Sequence, residues 1–247
     1  LPTYNERDTL HVVLHKTFSL GDFEALVIDD NSPDGTAEVV EGMMAREKRL
    51  HLMKRPGKLG LGTAYIAGFR WGLEHGFDCL IEMDSDMSHN PLDLPRFADE
   101  VGDGADLVIG SRYMSGRISV VGWDFKRLLL SKFGNIYAST ILGMRASDLT
   151  SGFRAFSRRA LERLDLPRVR SEGYGFQIEM AYLAWRNGLR LKEIPIVFTE
   201  RYTGESKMSK AIVREAAVLP WKLRASTLKD AISDLLAPGR NHLKKEA

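Results

Sequence analysis

Short apolar runs alternate with longer amphipathic ones along most of this chain. FEALVIDD (23–30) is a β-rich run closed by acids, and the helical pattern TAEVVEGMMAREKR (36–49) follows it. RLHLM (49–53) predicts another strand, and GLGTAYIAGFRWGLEHG (60–76) a helix with small residues along one side. CLIEMD (79–84) reads as a strand, PLDLPRFADEVG (91–102) as a helix and ADLVIGS (105–111) as a strand. Strands that are apolar throughout are buried on both faces, so this rhythm predicts an α/β fold with a mostly parallel sheet covered by helices. The second half is less regular. GWDFKRLLLSKFGNIYASTILG (122–143) reads as a helix, SGFRAFS (151–157) as a strand and GFQIEMAYLAWRNG (175–188) as a helix. LKEIPIVFTER (191–201) is a last strand in which Pro195 points to an edge or irregular position. The opening LPTYNE reads as the end of a strand whose first residues are absent.

Beyond residue 206 the pattern changes. Ile212, Ala216, Leu219 and Leu223 fall at helical spacing, and Trp221, Ala225, Leu228, Ile232 and Leu235 form a later stripe, with Pro220 placed to divide them. Residues 201–247 carry ten Lys or Arg against five acids, although the whole chain has a formal charge of only +2. A basic amphipathic helix bearing tryptophan suits a membrane surface, and packing on the preceding domain or on another subunit suits it equally. The expected organisation is a catalytic domain over 1–210 and an amphipathic helical extension over 211–247.

Composition narrows the functional classes. At 247 residues and 44% hydrophobic, the chain can bury one sizeable core. Its near balance of charge argues against a nucleic-acid binder. The single cysteine, Cys79, excludes an intrachain disulfide and a cysteine-based metal site, and its apolar setting predicts a buried thiol in a reducing compartment. No apolar stretch approaches the length of a membrane span, and no signal peptide is evident.

The chemistry gathers where strands end, the edge at which open α/β sheets bind ligands. Asp84 and Asp86 follow a buried strand with only Ser85 between them. On extended backbone, side chains two apart face the same way, so the two carboxylates would repel unless a cation lay between them. A hard divalent ion carrying phosphate oxygens relieves that conflict; capping of a loop or of the next helix is the competing account. Ser88 and His89 stand close enough to assist, His89 as a hydrogen-bonding support. Asp29 and Asp30, in DDNSPDG, can accept from a base edge or a ribose; an Asx turn and helix cap, carried by Asp34 and Ser32, is the competing account of the segment. Lys58 lies beside two glycines in KLGLG, where a chain can approach a ligand closely. Neither a GxGxxG dinucleotide loop nor a GxxxxGK[ST] loop is present. Arg112 follows the strand VIGS, and Arg127 and Ser131 share one helix face at a spacing of four. Such groups can hold a phosphate through paired hydrogen bonds, as can the later cluster of Arg201 and Lys207 in ERYTGESK.

Taken together, PTYNE, VIDDNSPDGT, KLGLGTAY, EMDSDMSHNP, VIGSRY, TSGFRAF and FTERYTGESKMS closely resemble the dolichyl- and polyprenyl-phosphate mannose synthases, inverting glycosyltransferases of family 2 with a Rossmann-like GT-A fold. The likeness covers roughly residues 1–210. It implies GDP-mannose as donor, a polyprenyl monophosphate as acceptor and Mg²⁺ or Mn²⁺ as cofactor. It also implies nucleotide contacts from Pro2, Tyr4, Glu6, Asp29, Asp84 and Ser85 with Lys58 nearby, and metal ligation by Asp84 and Asp86. Some relatives carry Gln where Ser88 stands, after DAD rather than DSD, so the shorter serine leaves a position that water can fill. Arg112, Arg127 and Ser131 are implied for the acceptor phosphate, and Arg201 and Lys207 for the diphosphate. Asp148 is placed either to orient sugar hydroxyls, to support the acceptor helix or to cap structure. The implied setting is the cytoplasmic face of the cell membrane, by peripheral contact or through a membrane-protein partner. A UDP-glucose-dependent polyprenyl-phosphate glucosyltransferase and a catalytically silent nucleotide-binding scaffold are the competing readings.

Overall fold

A computed structural model describes residues 1–114, 116–169, 171–200 and 217–229. In chain order the elements are β1 (Pro2–Thr3), α1 (Arg7–Phe18), β2 (Ala25–Asp29), α2 (Thr36–Met44), β3 (Leu50–Lys54), α3 (Leu61–Glu74), β4 (Cys79–Glu82) and α4 (Leu94–Gly102). There follow β5 (Leu107–Ser111), β6 (Val120–Val121), α5 (Phe125–Leu142), β7 (Arg154–Ser157), α6 (Arg158–Arg163), α7 (Gly173–Arg186), β8 (Leu191–Pro195) and β9 (Phe198–Thr199). The strands form sheets in the orders β1-β2-β3, β4-β7-β5-β8 and β6-β9.

The α/β layering agrees with the apolar rhythm, and the strand pairs β1-β2, β2-β3, β5-β8 and β6-β9 are parallel. β7 is the exception, running antiparallel to both β4 and β5. Its start faces the end of β5, with Ile109 opposite Arg154 and Leu107 opposite Phe156. The chain between them, including α5, therefore leaves and returns at the same edge, and the strand can only run back down. The expected last strand divides into β8 and β9, and Pro195 closes β8 at the sheet edge, where its missing N–H breaks no interior ladder.

The two faces of β5 explain its unbroken apolar run. Leu107 and Ile109 join Phe156, Phe176 and Tyr182 in one buried cluster, and Val108 joins Phe97, Phe153 and Ala155 in another. Helices α1 and α6 lie outside the elements that the pattern predicts. In α1 the buried stripe is Thr9, Leu10, Val13, Leu14 and Thr17, and the two threonines mask its apolar period. The segment 217–229 is helical without a break at Pro220. Leu219 and Leu223 pack against the cluster that holds Leu142 and Tyr182, so the inward half of the stripe covers the domain. The expected boundary at 210/211 lies outside the described residues. Cys79 is partly buried, and burial beside Asp78 pushes its thiol up to about 12, which makes it a poor nucleophile at neutral pH.

Candidate active site

The paired aspartates do not sit on extended backbone. β4 stops at Glu82, and residues 84–89 form a loop in which Met87 takes a left-handed φ of 67°. Loop bonds, rather than strand alternation, therefore orient the carboxylates. The Asp84 N–H donates to His89 Nδ1 at 3.2 Å, and Ser88 N donates to Asp86 Oδ1 at 3.0 Å. The fully buried His89 loses basicity through desolvation, against the pull of Asp84 and Asp86. It is therefore neutral, with Nδ1 as an acceptor, although that nitrogen also stands 3.9 Å from Asp84 Oδ2. His89 thus supports the loop, as its setting in the sequence predicts.

Beneath the loop, Glu82 faces Arg154 across the β4–β7 ladder, both fully buried. Burial, only partly offset by Arg154, pushes the Glu82 carboxyl up to about 8. It is mostly neutral at physiological pH and adds little negative charge below Asp84 and Asp86. Gly152 closes the floor: a Cβ there would lie 3.9 Å from Asp84 Oδ1 and from His89 Cε1.

No cluster of three or more His, Cys, Asp or Glu side chains suited to a metal occurs among the described residues. A hard divalent cation does not need one, because one or two carboxylates plus substrate phosphates commonly suffice. Asp84 and Asp86 fit that donor set. Ser88 Oγ is buried with no hydrogen-bond partner among the described residues, so a further oxygen donor is available beside them.

The residues implied for the nucleotide meet in pairs. Ser85 Oγ donates to Pro2 O at 3.2 Å, joining the loop to the end of β1. Lys58 Nζ lies over the Tyr4 ring, 4.5 Å from its centroid. Asp29 is buried at the end of β2, where Oδ2 accepts from Ser32 N and Oδ1 from Ser32 Oγ and Thr3 Oγ1. Those bonds are the turn-building account of this acid. Asp34 accepts from the first helical N–H of α2, at Thr36, as its place in the sequence predicts. Glu6 precedes α1 and its Oε2 accepts from Thr9 Oγ1. The KLGLG glycines serve packing within the chain. A Cβ on Gly60 would strike the Glu172 carboxylate, and one on Gly62 would lie 2.8 Å from the Ser171 carbonyl oxygen.

The cationic half lies beyond β5. Arg112 is buried, and its Nε and Nη2 form a paired bridge to Asp148 at 2.6 and 2.7 Å, with Thr150 accepting a further bond from Nη2 at 2.8 Å. Asp148 therefore acts as the support of Arg112, a role outside those left open by its place in the sequence. Arg127 rests on Trp123, its guanidinium carbon 4.3 Å from the ring centroid, and Nη1 donates to Glu200 at 2.8 Å. Trp123 also faces Arg112, at 5.4 Å, so one indole joins the two arginines. Ser131 accepts a hydrogen bond from the Tyr113 hydroxyl at 2.8 Å. Arg112, Arg127 and Ser131 are thus linked through Trp123 and Tyr113 into one side-chain cluster. Phe198 connects it to the carboxylate loop, packing 5.4 Å from His89 and 5.6 Å from the Arg112 guanidinium.

Trp123, Phe198 and Glu200 are the organisers that the motifs did not single out. The available signal was local: a tryptophan immediately precedes Asp124, which caps the helix carrying Arg127. Arg201 and Lys207 lie outside the described residues.

Residues 1–165 match Glycosyl transferase family 2. The chain is 46% identical over 228 residues to a polyprenol monophosphomannose synthase of Mycolicibacterium smegmatis, covering 91% of this chain and 86% of that protein. It is also 46% identical over 219 residues to an undecaprenyl-phosphate mannosyltransferase of Micrococcus luteus, covering 88% and 89%. A crystal structure of glucosyl-3-phosphoglycerate synthase from Mycobacterium tuberculosis, bound to phosphoglyceric acid, superposes with a TM-score of 0.66 over 90% of this chain and 77% of that one. At 21% identity that likeness speaks for the fold alone. A carboxylate loop and an arginine cluster beyond the carboxyl ends of β4 and β5 thus occur in a chain that belongs to glycosyl transferase family 2.

Proposed function

We propose that this enzyme transfers mannose from GDP-mannose to a polyprenyl monophosphate with inversion at the anomeric carbon. The observation that carries the reading is the joining, through Phe198, of a carboxylate loop suited to a cation, with Asp84 and Asp86, to an arginine cluster suited to an anion, with Arg112, Arg127 and Ser131. A phosphate monoester brings its own anionic oxygen, so attack on the anomeric carbon needs no protein base. The new bond joins that oxygen to the sugar carbon as the bond to the GDP β-phosphate breaks, and the electron pair leaves with GDP. An α-linked donor becomes a β-linked mannosyl phosphate.

Asp84, Asp86 and Ser88 would hold Mg²⁺ or Mn²⁺, which would neutralise charge on the diphosphate. We assign Pro2, Tyr4, Lys58 and Ser85 to the nucleotide; the Ser85–Pro2 bond and the stacking of Lys58 on Tyr4 support that assignment. We assign Arg201 and Lys207 to the diphosphate as it departs. Arg112, fixed by Asp148, and Arg127, resting on Trp123, orient the incoming phosphate and suppress repulsion between two anionic reactants. A lipid acceptor places the enzyme at the cytoplasmic face of the membrane by peripheral contact.

Purified protein incubated with Mg²⁺ or Mn²⁺, labelled GDP-mannose and a short polyprenyl phosphate should yield a labelled lipid. A parallel reaction with UDP-glucose should yield almost none, and preference for UDP-glucose would replace this reading with a glucosyltransferase. Arg127→Ala should reduce kcat/KM for the acceptor by roughly 10- to 100-fold, the loss expected for a charge-assisted hydrogen bond, with the donor KM nearly unchanged. Acceptor kinetics identical to wild type would remove Arg127 from the phosphate site.

A further inference from the structure

An amide in the buried stripe of a helix is costly unless each of its polar atoms is matched. The buried residues of α5 are Asn135, Ala138 and Leu142, and Asn135 is 2% exposed. Its amide is fully directed. Oδ1 accepts from Leu149 N at 2.7 Å, while Nδ2 donates to Ser131 O at 3.0 Å and to Thr150 Oγ1 at 3.1 Å. A backbone N–H facing one end and a backbone carbonyl facing the other fix which end is which. One contact thus stays on α5, a turn back at Ser131, and two cross to the segment that begins at Asp148.

That segment is what holds Arg112. The Thr150 hydroxyl accepts from Arg112 Nη2 at 2.8 Å and from Asn135, and it donates to Asp148 Oδ1 at 3.2 Å. A hydroxyl has one proton and two lone pairs, so these three contacts exhaust it. Two hydrogen bonds through Thr150 therefore join the helix turn that carries Ser131 to the guanidinium of Arg112. The same segment reaches the carboxylate loop. Arg154, fully buried, donates to Leu149 O at 2.7 Å, to Ser151 O at 2.8 Å and to Gln177 O at 2.6 Å. β7 thus holds carbonyls of the segment, α5 holds an N–H and a hydroxyl of it, and Gly152 lies against Asp84 and His89. We propose that Asn135 is a positioning residue for the acceptor phosphate: it fixes Ser131 and Arg127 on α5 at a set distance from Arg112. The inference rests on the acceptor reading given above, and Asn135 acts through these groups. Packing alone needs no amide at this position; what a fully satisfied amide adds is a single rigid arrangement. Charge-assisted contacts to phosphate are short and directional, and a misplacement of about 1 Å costs on the order of 100-fold in rate.

The test reads binding as well as turnover, with the full chain and geranyl phosphate, a water-soluble prenyl monophosphate. In calorimetric titration Asn135→Ala should bind geranyl phosphate about tenfold more weakly, and its kcat/KM for that acceptor should fall roughly 10- to 100-fold. Its affinity for GDP with Mg²⁺ should change by less than about twofold, because the contacts of the carboxylate loop are untouched. Thr150→Val breaks the same chain one bond further on and should give a comparable loss. The double variant should lose no more than the worse single one, since both act along one path. A general loss of folding would weaken GDP and geranyl phosphate alike, so all variants are compared well below their own thermal midpoints. Should Asn135→Ala not fold, Asn135→Asp takes its place: it keeps the shape and the bond from Leu149 N but loses both Nδ2 donations. Wild-type affinity for geranyl phosphate in the Asn135 variant, additive losses in the double variant, or an equal loss of GDP binding would overturn the proposal. A wild-type protein that bound GDP with Mg²⁺ but neither bound geranyl phosphate nor transferred to it would overturn the acceptor reading, and this proposal with it.

Discussion

Asp86→Ala is expected to lower mannosyl transfer at least about 100-fold at saturating substrates, with little loss of stability. Asp86 is buried, and its Oδ1 accepts from the Ser88 N–H within the same loop. Losing that bond costs about 1 kcal/mol, which shifts the thermal midpoint of a domain this size by about 2–4 °C. Removing a carboxylate near Asp84 also relieves repulsion, which offsets part of that cost. The expected catalytic loss has no such offset, because on the proposed reading the cation that would neutralise the departing diphosphate loses one of its two carboxylate ligands. Initial rates with labelled donor across a series of Mg²⁺ and Mn²⁺ concentrations, beside a thermal melt, separate the two effects. Normal metal-dependent turnover in the variant would remove Asp86 from the ion site.

Asp148→Ala is expected to act through stability first, by about 3–5 kcal/mol or roughly 10 °C in midpoint. Arg112 is only 3% exposed, and its paired bridge to Asp148 is the chief compensation for its burial. Truncating the acid leaves a buried guanidinium with Thr150 as its remaining assigned side-chain acceptor, which is the expensive way to break such a pair. Burial alone would raise the Asp148 carboxyl, but the Arg112 guanidinium holds it below the usual carboxylate range. A depressed folded pKa gives stability that is present above the unfolded value of about 4 and is lost as pH falls through the folded value. The difference between wild type and Asp148→Asn should therefore narrow in acid. Urea unfolding over a pH series measures both quantities. A cost below about 1 kcal/mol for the alanine variant would show that Arg112 has other adequate partners.

Much of this site was legible because it depends on short-range pattern. A continuous apolar run such as CLIE reads as a two-sided strand, and the acids after it fall at the sheet edge in any doubly covered α/β fold. The Ser85–Pro2 bond and the Lys58–Tyr4 contact join motifs placed at several such ends. The turn around Asp29 was open to two accounts, and only the bonds from Ser32 and Thr3 display the structural one.

By itself, then, the sequence determined the layered α/β architecture, the carboxylate loop after β4 and the presence of a basic helix bearing Arg127 and Ser131. These are properties of neighbouring residues, set by side-chain period and by where apolar runs stop. Tertiary structure decided the reversal of β7, the pairing of Arg112 with Asp148 across 36 positions and the indole that joins Arg112 to Arg127. Each of these depends on which distant segment occupies a given face. An amphipathic period says that a helix has two sides, but only the packed chain says which side the protein keeps for itself.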